Sequence, residues 1–325
     1  MESAISCTAV APSSTANLGP GYDVFGLALD ALEDRVRITK KKASEGRSSR
    51  ISIEISGENG MSISSNAETN SAGLVIKKMS ENFDIDYDLD INIVKRVPAG
   101  FGMGSSAASA AAAAVAFDGL FNLKIQKAKI IEYAAEGEVA SAGVRHYDNV
   151  SGAILGGFVI VRTNPELEFI KIDPPKDLVL VIAVPAIKVS KRKTEVARGV
   201  LPQEVPLKSV VHNISNASTI VAGFILKDIS MIAKGIDDII VEPARKHLIP
   251  GYEAVKSKAL KSGALAVTIS GAGPSMISFL KTGENGKHVA DSMAAGFREA
   301  KIKSRTFVCH PSTGAKVVAL NKKNK

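Results

Sequence analysis

The stretch VPAGFGMGSSAASAAAAA, residues 97–114, constrains the fold of this chain more than any other segment. Three glycines occupy alternate positions from Gly100 to Gly104, and glycine lets a backbone wrap closely around a neighbouring group. The alanine block that follows strongly favours a helix, and Ser105 and Ser106 at the junction are of a residue type that caps helix N-termini. A helix start presents unpaired N–H groups at the positive end of the helix dipole. The segment therefore predicts an anion site, with a phosphate as the first candidate.

The same segment also has a purely structural interpretation. Glycine-rich turns end strands, and alanine-rich helices pack closely because they are thin. The known phosphate motifs do not separate the two interpretations. No Lys-Ser or Lys-Thr follows the last glycine, as a P-loop would require, and the G-x-G-x-G spacing differs from the dinucleotide pattern G-x-G-x-x-G. The choice depends on the rest of the chain.

Length and composition indicate a globular protein. The chain has 325 residues, of which 45% are hydrophobic, which is enough for two domains with sizeable cores. The N-terminus lacks a basic region before an apolar run, and the apolar block at 107–117 is too short to span a bilayer. Cys7 and Cys309 are too few for a disulfide framework and have no partners at metal-ligand spacing. We expect a cytoplasmic protein in a reducing compartment, without a membrane partner.

The net charge of +8 keeps nucleic acid in consideration as a partner. The basic residues are scattered, however, with local concentrations at 40–50, 188–198 and 322–325. The chain has no Trp, and no basic run is interleaved with aromatic residues for base stacking. Such runs are usually solvated faces or attract phosphates of another kind. We therefore expect no nucleic-acid partner.

Short β-branched runs alternate with helical patterns along the chain. In the first half, strands are predicted at 5–10, 36–39, 51–55, 91–97 and 153–161, and helices at 70–79, 106–117 and 127–142. In the second half, strands are predicted at 178–184, 264–270 and 276–280, and helices at 209–226, 228–234, 252–261 and 286–301. Prolines interrupt regular structure between the halves, which predicts domains at 1–165 and 166–325. The fold class is α+β, with antiparallel or mixed sheets.

Three further segments combine turn chemistry with polar side chains. ISGAGPS at 269–275 lies between two apolar strands and is either a tight hairpin or an anion-binding nest. The loop at 11–23 has the same ambiguity, since its turn residues lead to an acid. In the third segment Glu138 lies on a helix, and residues 146–149 of the sequence HYDN lie in the loop after it.

Taken in this order, the four segments resemble the GHMP kinase superfamily. The phosphate loop P-x-x-x-G-[LM]-G-S-S-A matches in full from Pro98 to Ala107. The pieces STANLGPGYDVFGLAL, HYDNVSGAILGGF, TEVARGVLP, VEPARKHLIPG and SGAGPS resemble the homoserine kinase branch. There are two departures: extra basic residues precede Thr194, and Tyr147 stands where that branch often has a small residue or proline. The resemblance implies a ribosomal-protein-S5-like N-terminal domain, a ferredoxin-like C-terminal domain, and a site in the cleft between them.

The resemblance also implies an activity. It is the ATP- and Mg²⁺-dependent phosphorylation of the L-homoserine hydroxyl to O-phospho-L-homoserine, a step of threonine biosynthesis, by direct in-line transfer. The implied partner is this small molecule, and the resemblance is compatible with a homodimer. Two alternatives stay open. One is another GHMP small-molecule kinase, such as an archaeal-type shikimate kinase. The other is a non-catalytic nucleotide- or RNA-binding protein.

Site residues follow from the resemblance position by position. The implied nucleotide contacts are Asn70, Lys95, Pro98, Ala99, Gly100, Phe101, Gly102, Met103, Gly104, Ser105, Ser106, Ala107 and Ala108. The implied substrate contacts are Asn17, Asp23, His146, Asn149, Arg198, Arg245 and Gly271.

The resemblance also assigns roles to some of these positions. Ser106 and Glu138 correspond to the Mg²⁺ ligands, and the two arginines correspond to the carboxylate contacts, because a guanidinium fork fits a carboxylate. The catalytic candidates are Asn149, Glu138 and Asp23. Asn149 would orient the hydroxyl, and Asp23 is a weaker candidate for proton acceptor. Without the family, Glu138 would be a solvated helix acid, each arginine a surface ion pair and His146 a loop histidine with ordinary partners.

Overall fold

The structure, a computed structural model, describes residues 4–42, 50–58, 63–190, 193–282 and 285–322. Most of the basic stretch at 40–50, residues 191–192 and the basic tail at 323–325 lie outside the described residues. The description below applies to the remaining chain.

The first structural half of the protein is built on a seven-stranded mixed sheet. Its strands are β1 (Ala4–Asn17), β2 (Gly21–Lys42), β3 (Ile51–Ser56), β4 (Tyr87–Val94), β5 (Phe158–Arg162), β6 (Glu168–Ile172) and β11 (Lys316–Lys322). The order is β11-β1-β2-β4-β3, and β5 pairs with both β2 and β6. All pairs are antiparallel except β3 with β4. The long strand β2 connects both parts of the sheet.

Four helices cover one face of this sheet: α1 (Ser71–Asn82), α2 (Ser105–Phe121), α3 (Lys127–Ala142) and α4 (Tyr147–Leu155). Helix α2 is the central one and packs on β1, β2, α1, α3 and α4. Its alanines at 110–114 are fully buried, and a helix that is apolar all round belongs in a core. The small side chains let the neighbouring elements come close, which holds the start of α2 firmly beside the sheet.

The second half is built on a four-stranded antiparallel sheet in the order β10-β7-β9-β8. Its strands are β7 (Leu178–Pro185), β8 (Ala266–Ile269), β9 (Met276–Lys281) and β10 (Ser304–Cys309). The helices are α5 (Lys193–Gly199), α6 (Leu207–Leu226), α7 (Ile229–Gly235), α8 (Val241–Arg245), α9 (Tyr252–Lys261) and α10 (Gly286–Glu299), with a 3-10 turn at Lys246–Leu248.

A shared hydrophobic core joins the two halves. Leu27 and Leu29 of β2 belong to the same buried cluster as Leu180 of β7. The rings of Phe158 on β5 and Phe224 on α6 stack with centroids 4.0 Å apart. The two sheets therefore pack against each other through apolar side chains, and loops from both halves meet at one end of this contact.

The predicted division at residue 165 does not coincide with the sheets. Strands β6 and β11 both follow that point in the chain, yet both belong to the first sheet. The short β5–β6 connection keeps the chain in the first sheet, and β11 returns to pair with β1. Only the segment between β6 and β11 forms the second half. Proline interruption marks a turn here rather than a domain boundary.

Several predicted elements differ from the structure at their ends. The predicted strand at 153–161 is split, because α4 runs to Leu155 and β5 begins at Phe158. Residues 147–149 therefore lie in the first turn of a helix rather than in a loop, while His146 is its N-cap. Strands β6, β10 and β11 were not predicted. Strand β11 is exposed along its whole length, so it lacks the alternation that marks a half-buried strand.

Helix α6 is long and apolar enough to cross a bilayer by length and composition, although only 17% of its apolar window is buried. The expectation of no membrane partner considered only the apolar block at 107–117 and did not weigh this helix, in which polar residues are interspersed. Its inward face packs in the core through Ile220 and Phe224, and Asn213 on that side donates to Asp238 at 2.8 Å. Exposed apolar side chains and this polar anchoring describe a surface helix with one unusually apolar face.

Candidate active site

The glycine-rich loop ends where α2 begins, as the sequence predicts. Gly100, Gly102 and Gly104 all have left-handed backbone, with φ of +84°, +74° and +65°. Gly104 is the N-cap of α2, which corrects the prediction that serine caps the helix. Ser105 is the first residue of the helix, and its hydroxyl donates to the carbonyl of Val97 at 2.8 Å. The first N–H groups of α2 thus point into the loop without a side-chain cap.

Three segments predicted to carry function meet at this point. The predicted loop at 11–23 is mostly strand, because β1 runs to Asn17 and β2 begins at Gly21. The hydroxyl of Ser270 donates to the carbonyl of Gly102 at 2.7 Å, which joins the β8–β9 hairpin to the glycine loop. A Cβ on Gly102 would lie 2.1 Å from the carbonyl oxygen of Ser270. On the other side, the backbone N–H of Ser14 donates to the carbonyl of Met103 at 3.1 Å. Glycine is required at 102 because the hairpin backbone lies where a side chain would be.

The segment ISGAGPS is the hairpin connecting β8 and β9, and it also braces the glycine loop.

A cavity of about 110 Å³ opens beside the glycine loop. It is lined by Ile55, Ile63, Thr69, Asn70, Ser71, Ile93, Lys95, Ala99, Ser105, Ser106 and Ser109. Isoleucine side chains supply one apolar wall, and serine hydroxyls lie on the side of α2. Ser105 and four other predicted nucleotide contacts therefore line a single cavity next to the predicted phosphate site.

Lys95 and Asn70 line this cavity, but their polar groups are already engaged. Lys95 is 3% exposed, and its ammonium bonds to Asp34, to the carbonyl of Ser105 and to Ser109. A lysine has only three N–H donors, so Lys95 fixes the first turn of α2 and does not offer a donor to a ligand. Asn70 caps α1 by accepting from the N–H of Gly73 at 3.1 Å. Both side chains line the cavity, and their polar groups are hydrogen-bonded within the protein.

Three other predicted nucleotide contacts have side chains in the hydrophobic cores. Met103, Ala107 and Ala108 are fully buried. Their side chains therefore anchor the loop and the helix start, and the predicted nucleotide contact at these positions could come only from backbone atoms. A short motif cannot distinguish residues that face a ligand from residues that anchor the loop, because both are small or apolar.

Glu138 is buried on α3 and not solvated. It is 4% exposed, and its Oε2 lies 3.4 Å from Nδ1 of His146. Burial opposes protonation of His146, but the hydrogen bond and charge of Glu138 outweigh it and raise the pKa of the imidazole above 6.5. Nε2 of His146 has no hydrogen-bond partner among the residues that the structure describes. The pair places a carboxylate and an available imidazole nitrogen in the same buried pocket.

Asn149 lies against the start of α2. Its Oδ1 accepts from the hydroxyl of Ser14 at 3.1 Å and would lie 3.1 Å from a Cβ on Gly104. The neighbouring Asp148 accepts from the N–H of Asn149 at 2.7 Å and is buried. Burial, followed by the charge of Asp23, raises the pKa of Asp148 to about 6. Asn149 therefore stands between the phosphate loop and a group of acids.

The acid Asp23 and the two predicted arginines surround the ring of Tyr22. Arg198 donates to both carboxylate oxygens of Asp23, at 2.9 and 2.8 Å. The guanidinium carbons of Arg198 and Arg245 lie 5.6 and 5.2 Å from the centre of the Tyr22 ring. Arg198 is partly exposed, whereas Arg245 is 3% exposed and so is no surface ion pair. Two cations and one anion face a common space at the start of β2.

Gly271 and Asn17 hold this group in place. The carbonyl of Gly271 accepts from Asn17 Nδ2 at 2.9 Å and from Arg245 Nη1 at 3.4 Å. The Oδ1 of Asn17 accepts from the backbone N–H of Asp23 at 3.1 Å. Both ends of the Asn17 amide are thus used inside the protein. Asn17 and Gly271 position the charged groups, which links the hairpin to the loop after β1.

Sequence reasoning missed four residues that the structure brings to this region: Ser14, Tyr22, Asp148 and Lys193. Ser14 and Tyr22 flank predicted positions in the segment 11–23, and Asp148 precedes Asn149, so adjacency was the available signal. Lys193 was visible only as one of several basic residues before Thr194. Nothing in the sequence shows that its ammonium bonds to the carbonyl of Gly273.

The arrangement offers an anion site, a cavity with an apolar wall and a mixed-charge group side by side. Among the described residues, no group of three or more His, Cys, Asp or Glu could hold a metal ion by itself. An ion here would depend on one or two protein ligands and on oxygens of the bound molecule. The site is suited to bringing a phosphorylated ligand next to a small ligand that carries both charges.

Comparison with known proteins gives matches across both halves. Residues 70–157 match the GHMP kinases N terminal domain, and residues 220–299 match the GHMP kinases C terminal domain. A homoserine kinase of Methanococcus maripaludis is 40% identical over 281 residues, covering 86% of this chain and 88% of that protein. A homoserine kinase of Methanocella arvoryzae is 38% identical over 313 residues, covering 96% and 97%. The crystal structure of a homoserine kinase from Cytophaga hutchinsonii matches with a TM-score of 0.89 and 33% identity, covering 97% and 98%.

Proposed function

The chain belongs to the homoserine kinase family of the GHMP kinases, and from this premise we propose how its cleft phosphorylates L-homoserine with ATP. The activity is that of a kinase acting on a small-molecule alcohol. The product would be O-phospho-L-homoserine, which places the reaction in threonine biosynthesis. The alternatives of a shikimate-type kinase and of a non-catalytic nucleotide or RNA binder are not favoured.

The observation that carries the substrate assignment is the charged group around Tyr22. Homoserine is a zwitterion, with a carboxylate and an ammonium on the same carbon. Arg198 and Asp23 already form an ion pair with each other. A bound zwitterion could exchange that pair for two new ones, its carboxylate with Arg198 and its ammonium with Asp23. Arg245 adds a second, buried guanidinium that no acid side chain pairs with among the described residues. A carboxylate between two arginines and an ammonium at Asp23 would satisfy all three groups.

ATP would lie along the glycine loop with its base in the adjoining cavity. The N–H groups at the start of α2 and the helix dipole favour phosphate there. The apolar wall formed by Ile55 and Ile93 suits a flat heterocyclic base. Ser106, at the mouth of the same cavity, is on the side where the phosphates would run.

Mg²⁺ would be held by Ser106 and Glu138, as the resemblance implies. A hydroxyl and a carboxylate are oxygen donors of the kind that Mg²⁺ prefers, and it commonly uses one or two protein ligands besides phosphates. The carboxylate of Glu138 is a donor of this kind, held in a buried pocket beside His146. When bound, the ion would neutralise charge on the phosphates and help to align them.

We expect Glu138→Gln to raise the Mg²⁺ concentration needed for half-maximal activity by about 10-fold, since a neutral amide is a poorer ligand for a hard cation. Initial rates measured over a Mg²⁺ titration at fixed ATP check this. Glu136→Gln on the same helix, at a partly exposed residue paired with Arg145, serves as control and should leave the titration unchanged. Superimposable titrations of Glu138→Gln and the wild type would move the metal site elsewhere.

In the mechanism we propose, the homoserine hydroxyl attacks the γ-phosphorus in line while the bond to the β-γ bridging oxygen breaks. Phosphoryl transfer of this kind depends on positioning and charge neutralisation more than on a strong base. Asn149, between the phosphate loop and Asp148, would orient the hydroxyl by hydrogen bonding. The hydroxyl proton would leave to solvent as the new O–P bond forms. Asp23 would be engaged with the ammonium, so we assign it that role rather than the one of proton acceptor.

A coupled assay of ADP release across a panel of alcohols tests the function. L-Homoserine, shikimate, mevalonate and 4-hydroxybutyrate differ in their charges but share a hydroxyl. We expect homoserine to give a kcat/KM about 100-fold or more above the others, because only homoserine pairs with Asp23 and both arginines. An absence of homoserine-dependent ADP release would refute the proposal.

We also infer that the protein acts in the cytoplasm, without a nucleic-acid or membrane partner, and that it forms a homodimer through α6. Leu207, Val211, Ile214 and Ile225 are exposed on one face of that helix, at intervals of four, three and eleven residues. These intervals match whole helical turns, so the apolar face is continuous and can pack against its own copy. Light scattering should report twice the chain mass for the wild type and a shift toward monomer for Ile214→Lys. A monomeric wild type at micromolar concentration contradicts the inference.

A further inference from the structure

The side chain of Lys193 lies between the glycine loop and the β8–β9 hairpin. Lys193 begins α5, and its Nζ donates to the carbonyl of Gly273. That carbonyl oxygen would lie 2.8 Å from a Cβ on Gly102, so the ammonium is next to the glycine loop. Val189, four residues earlier, also contacts the loop, since its Cγ2 would lie 3.0 Å from a Cβ on Gly100. Val189 and Lys193 therefore both lie beside the predicted phosphate site.

The ammonium of Lys193 has no countercharge in this position. Its hydrogen-bond partner is a neutral carbonyl, and among the described residues no carboxylate forms an ion pair with it. The nearest charge that acts on it is the guanidinium of Arg245 on α8, which is also positive. The hairpin 270–275 and the loop 98–104 carry no titratable side chain. Burial, followed by the charge of Arg245, lowers the pKa of Lys193 to about 7.

A cation that is largely removed from water and repelled by a second cation is stabilised by an anion. The anion must lie between the glycine loop, Gly273 and Arg245, because those groups surround the ammonium. In the kinase proposed above, the phosphate loop delivers the end of the triphosphate to this space, and Arg245 holds the acceptor on its other side.

We propose that Lys193 binds the γ-phosphate of ATP, exchanging its hydrogen bond to Gly273 for one to the transferred phosphoryl group. This inference rests on the proposed kinase function. A lysine ammonium is a compact point charge with rotatable donors, which can follow the phosphoryl group as it moves from ADP to the acceptor oxygen. Lys193 keeps its proton and forms no covalent bond. Its charge offsets the negative charge on the phosphoryl oxygens in the transition state.

A structural role would predict different behaviour. If Lys193 only ties α5 to the hairpin, its removal would loosen Arg198 and Arg245 and weaken homoserine binding, with equal effects on ATP and ADP. If it contacts the γ-phosphate, its removal would weaken ATP binding and leave ADP binding nearly intact, because ADP lacks that group.

The test compares Lys193→Met, Lys193→Arg and the control Lys188→Met, which removes an exposed lysine from the same segment. Calorimetry gives the dissociation constants of ATP and ADP for the full-length protein, and the coupled assay gives kcat. For Lys193→Met we expect ATP binding to weaken about 10-fold relative to ADP and kcat to fall about 100-fold. Lys193→Arg, which keeps the charge, should restore much of the ATP preference, and Lys188→Met should match the wild type.

The pH dependence gives a second readout. Only the ammonium form of Lys193 attracts phosphate, and in the free protein it loses its proton as pH rises through about 7. ATP affinity of the wild type should therefore decline as the pH rises from about 7 to 9. Lys193→Arg should bind ATP tightly over the whole range, and Lys193→Met weakly over the whole range.

An unchanged ATP-to-ADP affinity ratio in Lys193→Met overturns the proposal, and so does a loss limited to homoserine KM or thermal stability. These outcomes differ from failure of the proposed function. A wild type without homoserine-dependent ADP release refutes the acceptor assignment, while the nucleotide affinities still decide the role of Lys193.

Discussion

Gly102→Ala is expected to lower kcat/KM by about 100-fold while the protein still folds at reduced stability. The Cβ would lie 2.1 Å from the carbonyl oxygen of Ser270 and 2.8 Å from that of Gly273, and both atoms belong to backbone. Gly102 also has φ of +74°, where a side chain costs about 1–3 kcal/mol. Relief of the overlap would move the glycine loop off the hairpin, at a further cost of about 1–3 kcal/mol.

The substitution would displace the phosphate site, because the hairpin and the glycine loop are hydrogen-bonded to each other through Ser270 and Gly102. A displacement of about 1 Å at a group that positions reactants can cost about 100-fold in rate. Coupled assays and the thermal unfolding midpoint, measured on the same preparation, check the two parts of the prediction.

Gly143→Ala is the matched control for the backbone. Gly143 has φ of +72°, but an added Cβ would meet nothing within 4 Å. This variant therefore introduces the backbone strain of a side chain at positive φ without any steric overlap, and it should keep nearly full activity. If Gly102→Ala retained wild-type kcat/KM, or if Gly143→Ala lost as much activity, the close approach of the hairpin would not be what requires glycine at position 102.

The sequence predicted best where a local pattern decides the structure. Alternating glycines before an alanine block produced a loop and a buried helix, and the α3 and α9 ranges match the predicted 127–142 and 252–261. The predicted N-cap was wrong because the hydroxyl of Ser105 donates to the carbonyl of Val97, eight residues earlier in the loop that precedes α2. Local propensity carries no information about such a distant partner.

Long-range pairing accounts for the rest. Strand β11 is exposed and unpatterned, and only its pairing with β1, more than 300 residues away in the chain, makes it a strand. In the same way, Lys95 looked like a solvated or nucleotide-binding lysine, but Asp34 and Ser109 take up its donors. Motif resemblance located Asp23, Arg198 and Arg245 individually. Their common position around Tyr22 depends on how the two sheets pack.

The second large effect is expected at the charged group around Tyr22. Arg245→Ala should weaken homoserine binding by about 2–5 kcal/mol and leave ATP affinity nearly unchanged, because a buried guanidinium would no longer pair with the substrate carboxylate. Arg245→Lys keeps the positive charge but not the planar guanidinium fork, so it should recover only part of the lost binding free energy. Partial recovery would also show that the loss in Arg245→Ala does not come from a folding defect. Arg305→Ala, which removes an exposed pair with Glu58, is the control and should change little.

Asp23→Asn then identifies the zwitterion by its ammonium. The variant removes the charge that now pairs with Arg198 and that would face the substrate ammonium. It should reduce kcat/KM for homoserine by about 100-fold, while the already slow use of 4-hydroxybutyrate, which has no ammonium, should change by less than about 3-fold. Comparing the two acceptors in one variant cancels any general damage to the site, because such damage would lower both values together. Equal losses for the two acceptors would show that Asp23 holds the cleft in shape through Arg198, and the ammonium contact would have to be sought at another acid, with Asp148 the nearest buried candidate.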